Sequence, residues 1–351
     1  MIAIKSLTKE ELITFLLAHG EKRSRASHIF DNLWKKGVSS FSEMENVSPE
    51  LKELLSKHFE FNNLSLDSIS ESSDRTVKVT IRLSDGNLIE GVIIPSLKRT
   101  TACISSQVGC ALGCSFCATG TLGLSRNLSF IEIFDQVQLL NRLSIEKFDH
   151  PLNNIVMMGM GEPLMNYENV MKSIECLTAN WGMAMSHNRI TISTAGITDK
   201  IKQLADDGFK CNLAISLHSA DESTRTELMK INASNSLEQL SKAIQYFHQK
   251  TRKIVTFEYL LLQGKNDSLL DAEKLVQFCK SFPCKINIIT YNSNESSPFQ
   301  QTTNQQRQDF VSHLILNKLI VTLRASKGQD IDAACGQLAN KRSLAVDLNC
   351  K

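Results

Sequence analysis

Between residues 101 and 323 the chain alternates short β-branched runs with longer helical periodicities, and this alternation limits its fold more than any other feature. Strand-like runs fall at 101–105, 154–158, 189–193, 212–216, 253–261, 285–290 and 319–323. Helical patterns lie between them at 130–142, 167–179, 236–249, 269–280 and 305–317. A strand that feeds a helix before the next strand pairs in parallel, because the crossover returns the chain to the same end of the sheet. The expectation is an α/β protein whose first six such strands and their helices form a partial (βα)6 barrel over residues 99–325.

The unusual residues all fall where those strands end. Cys110-Ala111-Leu112-Gly113-Cys114-Ser115-Phe116-Cys117 follows the first, Gly159-Met160-Gly161-Glu162-Pro163 the second and Ser193-Thr194-Ala195-Gly196 the third. Ser216-Leu217-His218-Ser219 follows the fourth and Tyr291-Asn292 the sixth. In parallel barrels the loops at the carboxyl ends of strands build the active site, so these stretches converge on one mouth. Three thiolates in a CxxxCxxC spacing can close one iron–sulfur cluster and leave one iron open to a small chelating ligand. A structural zinc completed by Cys103 or a distant Cys is the competing reading, although such sites usually come as two CxxC-like pairs and no second pair exists. The two glycines of the Gly159–Gly161 turn would let a ligand approach the backbone, or they serve only a tight turn. Ser193, Ser216 and Asn292 are short hydrogen-bonding groups that could meet a ligand or cap helices. His218 is either an acid–base group or a satisfied structural histidine.

Two segments flank the barrel. Residues 1–62 read as a small helical domain: Thr8 and Glu11 make a capping box, the stretch 24–36 is a second helix, and Ser48-Pro49 opens a third. Its basic residues Lys22, Arg23, Arg25, Lys35 and Lys36 are nearly balanced by acids and read as a solvated face. Residues 63–98 change to a period of two, with runs at 76–82 and 88–94 about an Asp85-Gly86 turn, which predicts a β-hairpin. Glu90 sits in mid-strand among apolar neighbours, where a carboxylate is expected on the solvated face. Residues 326–351 form a C-terminal loop carrying Cys335.

With 39 basic and 37 acidic residues, charge alone neither demands nor excludes an RNA partner. Ten cysteines in a chain with 42% hydrophobic residues suit a reducing compartment, and no apolar run approaches membrane-spanning length, so the expectation is a cytoplasmic protein. Cys176, Cys211, Cys279 and Cys284 read as small buried apolar residues and Cys350 as inert. Cys103, on the strand leading into the cluster, and Cys335, in a polar loop beyond the last strand, could both reach the barrel mouth.

Cys103, the CxxxCxxC stretch continuing through Ala118-Thr119-Gly120, the Gly-Met-Gly-Glu-Pro loop, Ser216-Leu217-His218 and the run Asp330-Ile331-Asp332-Ala333-Ala334-Cys335-Gly336-Gln337-Leu338 occur together and in order. Jointly they resemble the RlmN/Cfr family of radical S-adenosylmethionine (SAM) RNA methyltransferases. Gly161-Glu162-Pro163 and Val108 look more like the branch that methylates carbon 2 of adenosine than the Cfr branch, which modifies carbon 8. The resemblance implies a [4Fe–4S] cluster on Cys110, Cys114 and Cys117, and SAM bound by Gly161, Glu162, Ser193, Ser216, Leu217, His218 and Asn292. It implies that Cys335 carries the methyl group, that Cys103 resolves the adduct through a transient disulfide with Cys335, and that Glu90 is the proton acceptor. The implied partners are 23S rRNA, certain tRNAs and an electron donor such as flavodoxin, acting on a monomer without membrane attachment. Candidate RNA contacts are the helical domain and Lys98, Arg99, Arg126 and Lys327. The non-enzyme alternative is a zinc-stabilised RNA-binding module.

Overall fold

The computed structural model describes residues 1–61, 64–97, 99–293 and 297–339. Three helices open the chain: α1 (Lys9–Ala18), α2 (Arg25–Asp31) and α3 (Pro49–His58). The Thr8–Glu11 capping box forms as expected, and Ser48 caps α3 ahead of Pro49. The helix expected over 24–36 ends early as an α-helix, and Asn32–Lys36 continues as a wider π turn. Asn32 explains the change, since its side chain donates to the carbonyls of His28 and Glu45.

A single ten-stranded sheet follows. Its strands are β1 (Ser65–Glu71), β2 (Val77–Arg82), β3 (Leu88–Ser96), β4 (Arg99–Cys103), β5 (Asn154–Met157), β6 (Ile190–Thr194), β7 (Asn212–Ser216), β8 (Val255–Leu261), β9 (Cys284–Thr290) and β10 (Ile320–Arg324). They lie side by side in chain order. From β4 onward each neighbour is parallel, while β1 to β4 run antiparallel. Crossovers between adjacent parallel strands run through α4 (Phe130–Phe148), α5 (Tyr167–Thr178), α6 (Thr198–Asp206), then α7 (Glu222–Leu228) with α8 (Leu237–Thr251), α9 (Leu269–Cys279) and α10 (Asn304–Leu316). The seven expected parallel strands are all present, and the outermost ones do not meet, which leaves the barrel partial. Ile190, Ile192, Ile215, Phe257, Ile286 and Ile288 are fully buried, as strands covered on both faces require.

The expected hairpin has a third strand, β1, and the meander is continuous with the barrel sheet through the β3–β4 ladder, in which Val92 opposes Cys103. The amino-terminal helices pack on α4. A buried ion pair joins Lys5 to Asp135, and Gln138 and Arg142 of α4 donate to the Trp34 and Gly37 carbonyls. Among the described residues, no helix is long and apolar enough to cross a membrane.

Candidate active site

The sheet register decides which side chains face the barrel mouth. Val92 opposes Cys103, and Cys103 in turn opposes Val156 on β5, so the three share a face. Alternation along β3 puts Glu90 and Ile94 on that same face. Ile94, Cys103 and Val156 line a cavity of about 190 Å³ together with Arg324, Lys327 and Cys335. A second lobe of about 160 Å³ adjoins it and is lined by Cys110, Cys114, Cys117, Gly161, Glu162, Ser193, Ser216 and His218. Cys117 and Cys335 belong to the wall of both lobes. Sequence-distant loops thus converge on one mouth.

The loop carrying the cysteine triplet is held by its neighbours. Cys110 N–H donates to the Gly123 carbonyl at 2.8 Å, Ser115 N–H to Leu228 at 3.0 Å, and Ala118 N–H to Gly336 at 2.8 Å. Thr119 Oγ1 donates to the Leu338 carbonyl at 2.6 Å, which ties this loop to the one carrying Cys335. Cys114 and Cys117 pack against the apolar cluster that includes Phe116, Leu228 and Met229, and burial raises Cys110 to about 11 and Cys114 higher still. Among the described residues no three His, Cys, Asp or Glu side chains are arranged to hold a metal ion. A tetrahedral zinc would need its thiolates drawn within about 4 Å of one another. Three soft sulfurs lining one cavity are a donor set of the kind that would hold an iron–sulfur cluster.

The remaining expected ligand residues divide. Gly161, Glu162, Ser193, Ser216 and His218 line the cluster lobe; Leu217 and Asn292 do not. Leu217 is fully buried in the core, and its N–H donates to Glu258 at 3.0 Å. The Asn292 amide accepts from Gln329 at 2.6 Å and donates to the Cys335 carbonyl at 3.5 Å, so it steadies the C-terminal loop. Glu162 points its carboxylate at protein backbone, accepting from Ala195 N–H at 2.7 Å and Leu164 N–H at 3.0 Å. Burial raises its carboxyl, and those two bonds partly offset the rise. Glu162 therefore staples two loops of the mouth together. Neither Ser193 nor Ser216 caps a helix, since Ile197 and Asp221 stand at those positions.

Close backbone approach accounts for the glycines. A Cβ on Gly159 would sit 2.7 Å from the Ile104 carbonyl, and one on Gly161, at φ +101°, would meet Gln107. His218 resolves toward its structural reading. Its Nδ1 accepts from Leu260 N–H at 3.0 Å, and burial, followed by the Arg225 charge, lowers the imidazole to about 3, so it stays neutral.

The expectation that Glu90 faces solvent is overturned. It is 4% exposed, because the C-terminal loop lies over β3. Its Oε2 accepts from Ala339 N–H at 3.0 Å, and Lys78 stands 3.6 Å away. Glu90 is on the cavity face without lining either lobe. The loop carrying Cys335 is pinned at several further points on the β1–β2 turn. Asp330 accepts from Ser72 at 2.6 Å and from Ser73 N–H at 3.0 Å, and Asp74 accepts from Gly328 N–H at 3.1 Å.

Cys103 and Cys335 are both free thiols. Burial, reinforced by Cys335, pushes Cys103 up to about 12. Cys335 opens onto the cavity, yet the surrounding protein raises it as well, offset in part by Arg324. Cys176, Cys211, Cys279 and Cys284 are buried free thiols, as expected.

Pattern reading passed over three charged side chains. Arg225 is fully buried and donates to the carbonyls of Ala195 at 2.7 Å and Leu217 at 3.2 Å, joining two mouth loops. Glu258 is 4% exposed and receives Arg324 at 3.2 Å. Each stands singly in a helix or strand, and the one available signal was a charge among core-type neighbours. Of the expected RNA contacts, Arg126 is engaged by Asp85 at 2.6 Å and Glu132 at 2.8 Å, and Lys327 lies 3.7 Å from Asp74. Arg99 is exposed, and Lys98 and Cys350 lie outside the described residues.

Comparison with known proteins agrees with this geometry. Residues 104–276 match the radical SAM superfamily model, and residues 2–61 match the ribosomal RNA large subunit methyltransferase N-terminal domain. The "Probable dual-specificity RNA methyltransferase RlmN" of Christiangramia forsetii is 48% identical over 338 residues, 96% of each chain. The "Dual-specificity RNA methyltransferase RlmN" of Geotalea uraniireducens is 39% identical over 345 residues, 98% of each chain. Among solved structures, a radical SAM methyltransferase from Sphaerobacter thermophilus superposes with a TM-score of 0.91 at 37% identity, covering 96% of this chain and 99% of that one.

Proposed function

Because the chain belongs to the RlmN family of radical SAM RNA methyltransferases, we propose that it methylates carbon 2 of an adenosine in the peptidyl-transferase region of 23S rRNA and of the adenosine 3′ of the anticodon in certain tRNAs. The observation that carries this reading is the second thiol pair: Cys103 and Cys335 share a lobe beside the cysteine triplet, and Cys335 faces both. Carbon 2 is an electron-poor sp2 carbon with no lone pair to displace a sulfonium, so a radical route is required.

In this mechanism Cys335 acts first as a nucleophile and takes the methyl group of one SAM. Cys110, Cys114 and Cys117 would hold a [4Fe–4S] cluster, which would supply the electron for reductive cleavage of a second SAM to methionine and a 5′-deoxyadenosyl radical. The S-methyl group of Cys335 gives up a hydrogen atom, and its carbon bonds to carbon 2 of adenine. Glu90 takes the proton from carbon 2, while one electron would return from the adduct to the oxidised cluster that supplied it. The Cys103 sulfur then attacks the Cys335 sulfur, forming a disulfide, and the released methylene carbon takes a proton to become the methyl group. The shared face of Glu90 and Cys103 supports their working on one adduct. Gly161, Glu162, Ser193, Ser216 and His218 shape the SAM lobe, with a small flavoprotein such as flavodoxin as donor.

Anaerobic reconstitution with iron and sulfide, followed by chromatographic separation of the methyladenosine isomers from 23S rRNA and tRNA, tests the proposal. The expected product is 2-methyladenosine. Carbon 8 methylation, or unmodified RNA with a fully loaded cluster, would overturn it.

A further inference from the structure

The wall between the two lobes has one charged member, Arg324, the last residue of β10. Its Nη1 donates to Glu258 Oε2 at 3.2 Å and reaches Met158 Sδ at 3.9 Å. Glu258 is held from its other side by Asn287 at 2.9 Å, so the guanidinium rests on a braced carboxylate two strands away. Glu258 lines the cluster lobe only, which anchors the paired edge there. Among the described residues no hydrogen bond engages Nε or Nη2, and a third of the side chain is open. A rigid fork with spare donors is therefore left beside Cys335 and Cys103.

We propose that Arg324 is a catalytic residue that contacts the substrate base, its unpaired edge donating a hydrogen bond to a ring nitrogen flanking carbon 2 of adenine. The inference rests on the carbon 2 reading above and deepens it. Carbon 2 lies between N1 and N3, and a carbon radical adding there shifts electron density onto those nitrogens. A fixed cation aimed at one of them stabilises that charge in a site shielded from water. Arginine keeps its proton throughout, so the step is a hydrogen bond and no proton changes hands. The same donor discriminates among bases: guanine carries a hydrogen on N1 and an amino group on carbon 2, so it offers the fork a donor at the first position and a bulky substituent at the second. Lys327, the other cation of the thiol lobe, is 3.7 Å from Asp74 and is less suited to the part.

A substitution cycle tests this. RNA stem-loops carrying adenosine, 1-deazaadenosine or 3-deazaadenosine at the target position are offered to the reconstituted wild type, Arg324→Gln and Arg324→Lys. Each analogue alters the reactivity of carbon 2 equally for every enzyme, so the change in the adenosine-to-analogue rate ratio isolates the contact. Loss of one charge-assisted bond is expected to make that ratio about 10 to 100 times larger in the wild type than in Arg324→Gln for one of the two analogues, with Arg324→Lys between. The analogue concerned identifies N1 or N3. Ratios that survive unchanged in both variants would overturn the proposal, and if Arg324→Gln does not fold, Arg324→Lys alone decides. Wild type that leaves carbon 2 of adenosine unmodified would instead sink the underlying functional reading.

Discussion

Removing one carboxylate far from the reacting atoms should loosen the segment that delivers Cys335. Asp74 sits in the β1–β2 turn and accepts from Thr76 N–H at 2.9 Å and Gly328 N–H at 3.1 Å, with Lys327 beside it. Burial pushes its carboxyl up, but hydrogen bonds from Thr76 and Gly328 more than offset this and leave it at about 2 against an ordinary 3.8. That difference corresponds to about 2 kcal/mol at 1.36 kcal/mol per pKa unit. Because 29% of the side chain is exposed, solvent screening trims it to about 1–2 kcal/mol. Of these bonds only the one from Gly328 N–H reaches the loop, and at about 1 kcal/mol for a net hydrogen bond Asp74→Ala should raise the loop's undocked fraction about 5-fold. Asp74→Asn, which keeps one acceptor, should recover part of the loss. Hydrogen exchange on the full chain reads this directly: peptides covering residues 326–339 should exchange faster while those of β6 to β9 do not. A depressed carboxyl contributes its stability above the ordinary value and loses it as pH falls from about 4 toward 2, so the wild-type loop should loosen in that window and the alanine variant should not. Unchanged exchange across 326–339 in Asp74→Ala would refute the reasoning.

Three further outcomes are expected. Cys103→Ala should leave RNA covalently trapped on Cys335, visible by mass spectrometry, because adduct formation precedes resolution; absence of any adduct would undo the assigned roles. His218 is held neutral down to about 3 against an ordinary 6.5, so the unfolded chain binds the extra proton between those values and stability should fall as pH drops below about 6.5. In His218→Asn, whose carbonyl can accept where Nδ1 does, thermal melts should show a flatter dependence. Breaking the buried Lys5–Asp135 pair with Asp135→Asn should cost about 3–5 kcal/mol in denaturant unfolding, whereas replacing both partners with apolar residues should cost much less.

The parallel half of the fold was legible because strand and helix periodicities differ and each strand end carries a chemically odd loop. The antiparallel extension was legible only in part. Ser65–Glu71 alternates weakly and is largely polar, so within the period-two segment it gives no strand run of its own, and its pairing with β2 is what places it in the sheet. Thr198–Asp206 and Glu222–Leu228 were too short to give a clear helical period. The site residues divide along the same line. The cysteine triplet announces itself through local spacing, and Cys335 through its polar surroundings. The burial of Glu90 depends on a loop 249 positions away, which no local pattern records. Leu217 and Asn292 sit beside cavity residues in sequence yet turn inward, and only the register of β7 and the docking of Gln329 make that visible.

The ladder between β3 and β4 sets a parity rule for the whole chain. Glu90 and Cys103 point the same way because an even count separates Glu90 from Val92, and Val92 lies across from Cys103. A single amino acid gained or lost between Val92 and the turn at Leu97 would slide one strand by a step and swing the thiol to the opposite side of the sheet, away from Cys335. Only paired insertions, or ones taken up as a bulge, leave such a chain able to finish its reaction, so the tolerance of this short segment to length change is a readout of whether the two groups serve one substrate.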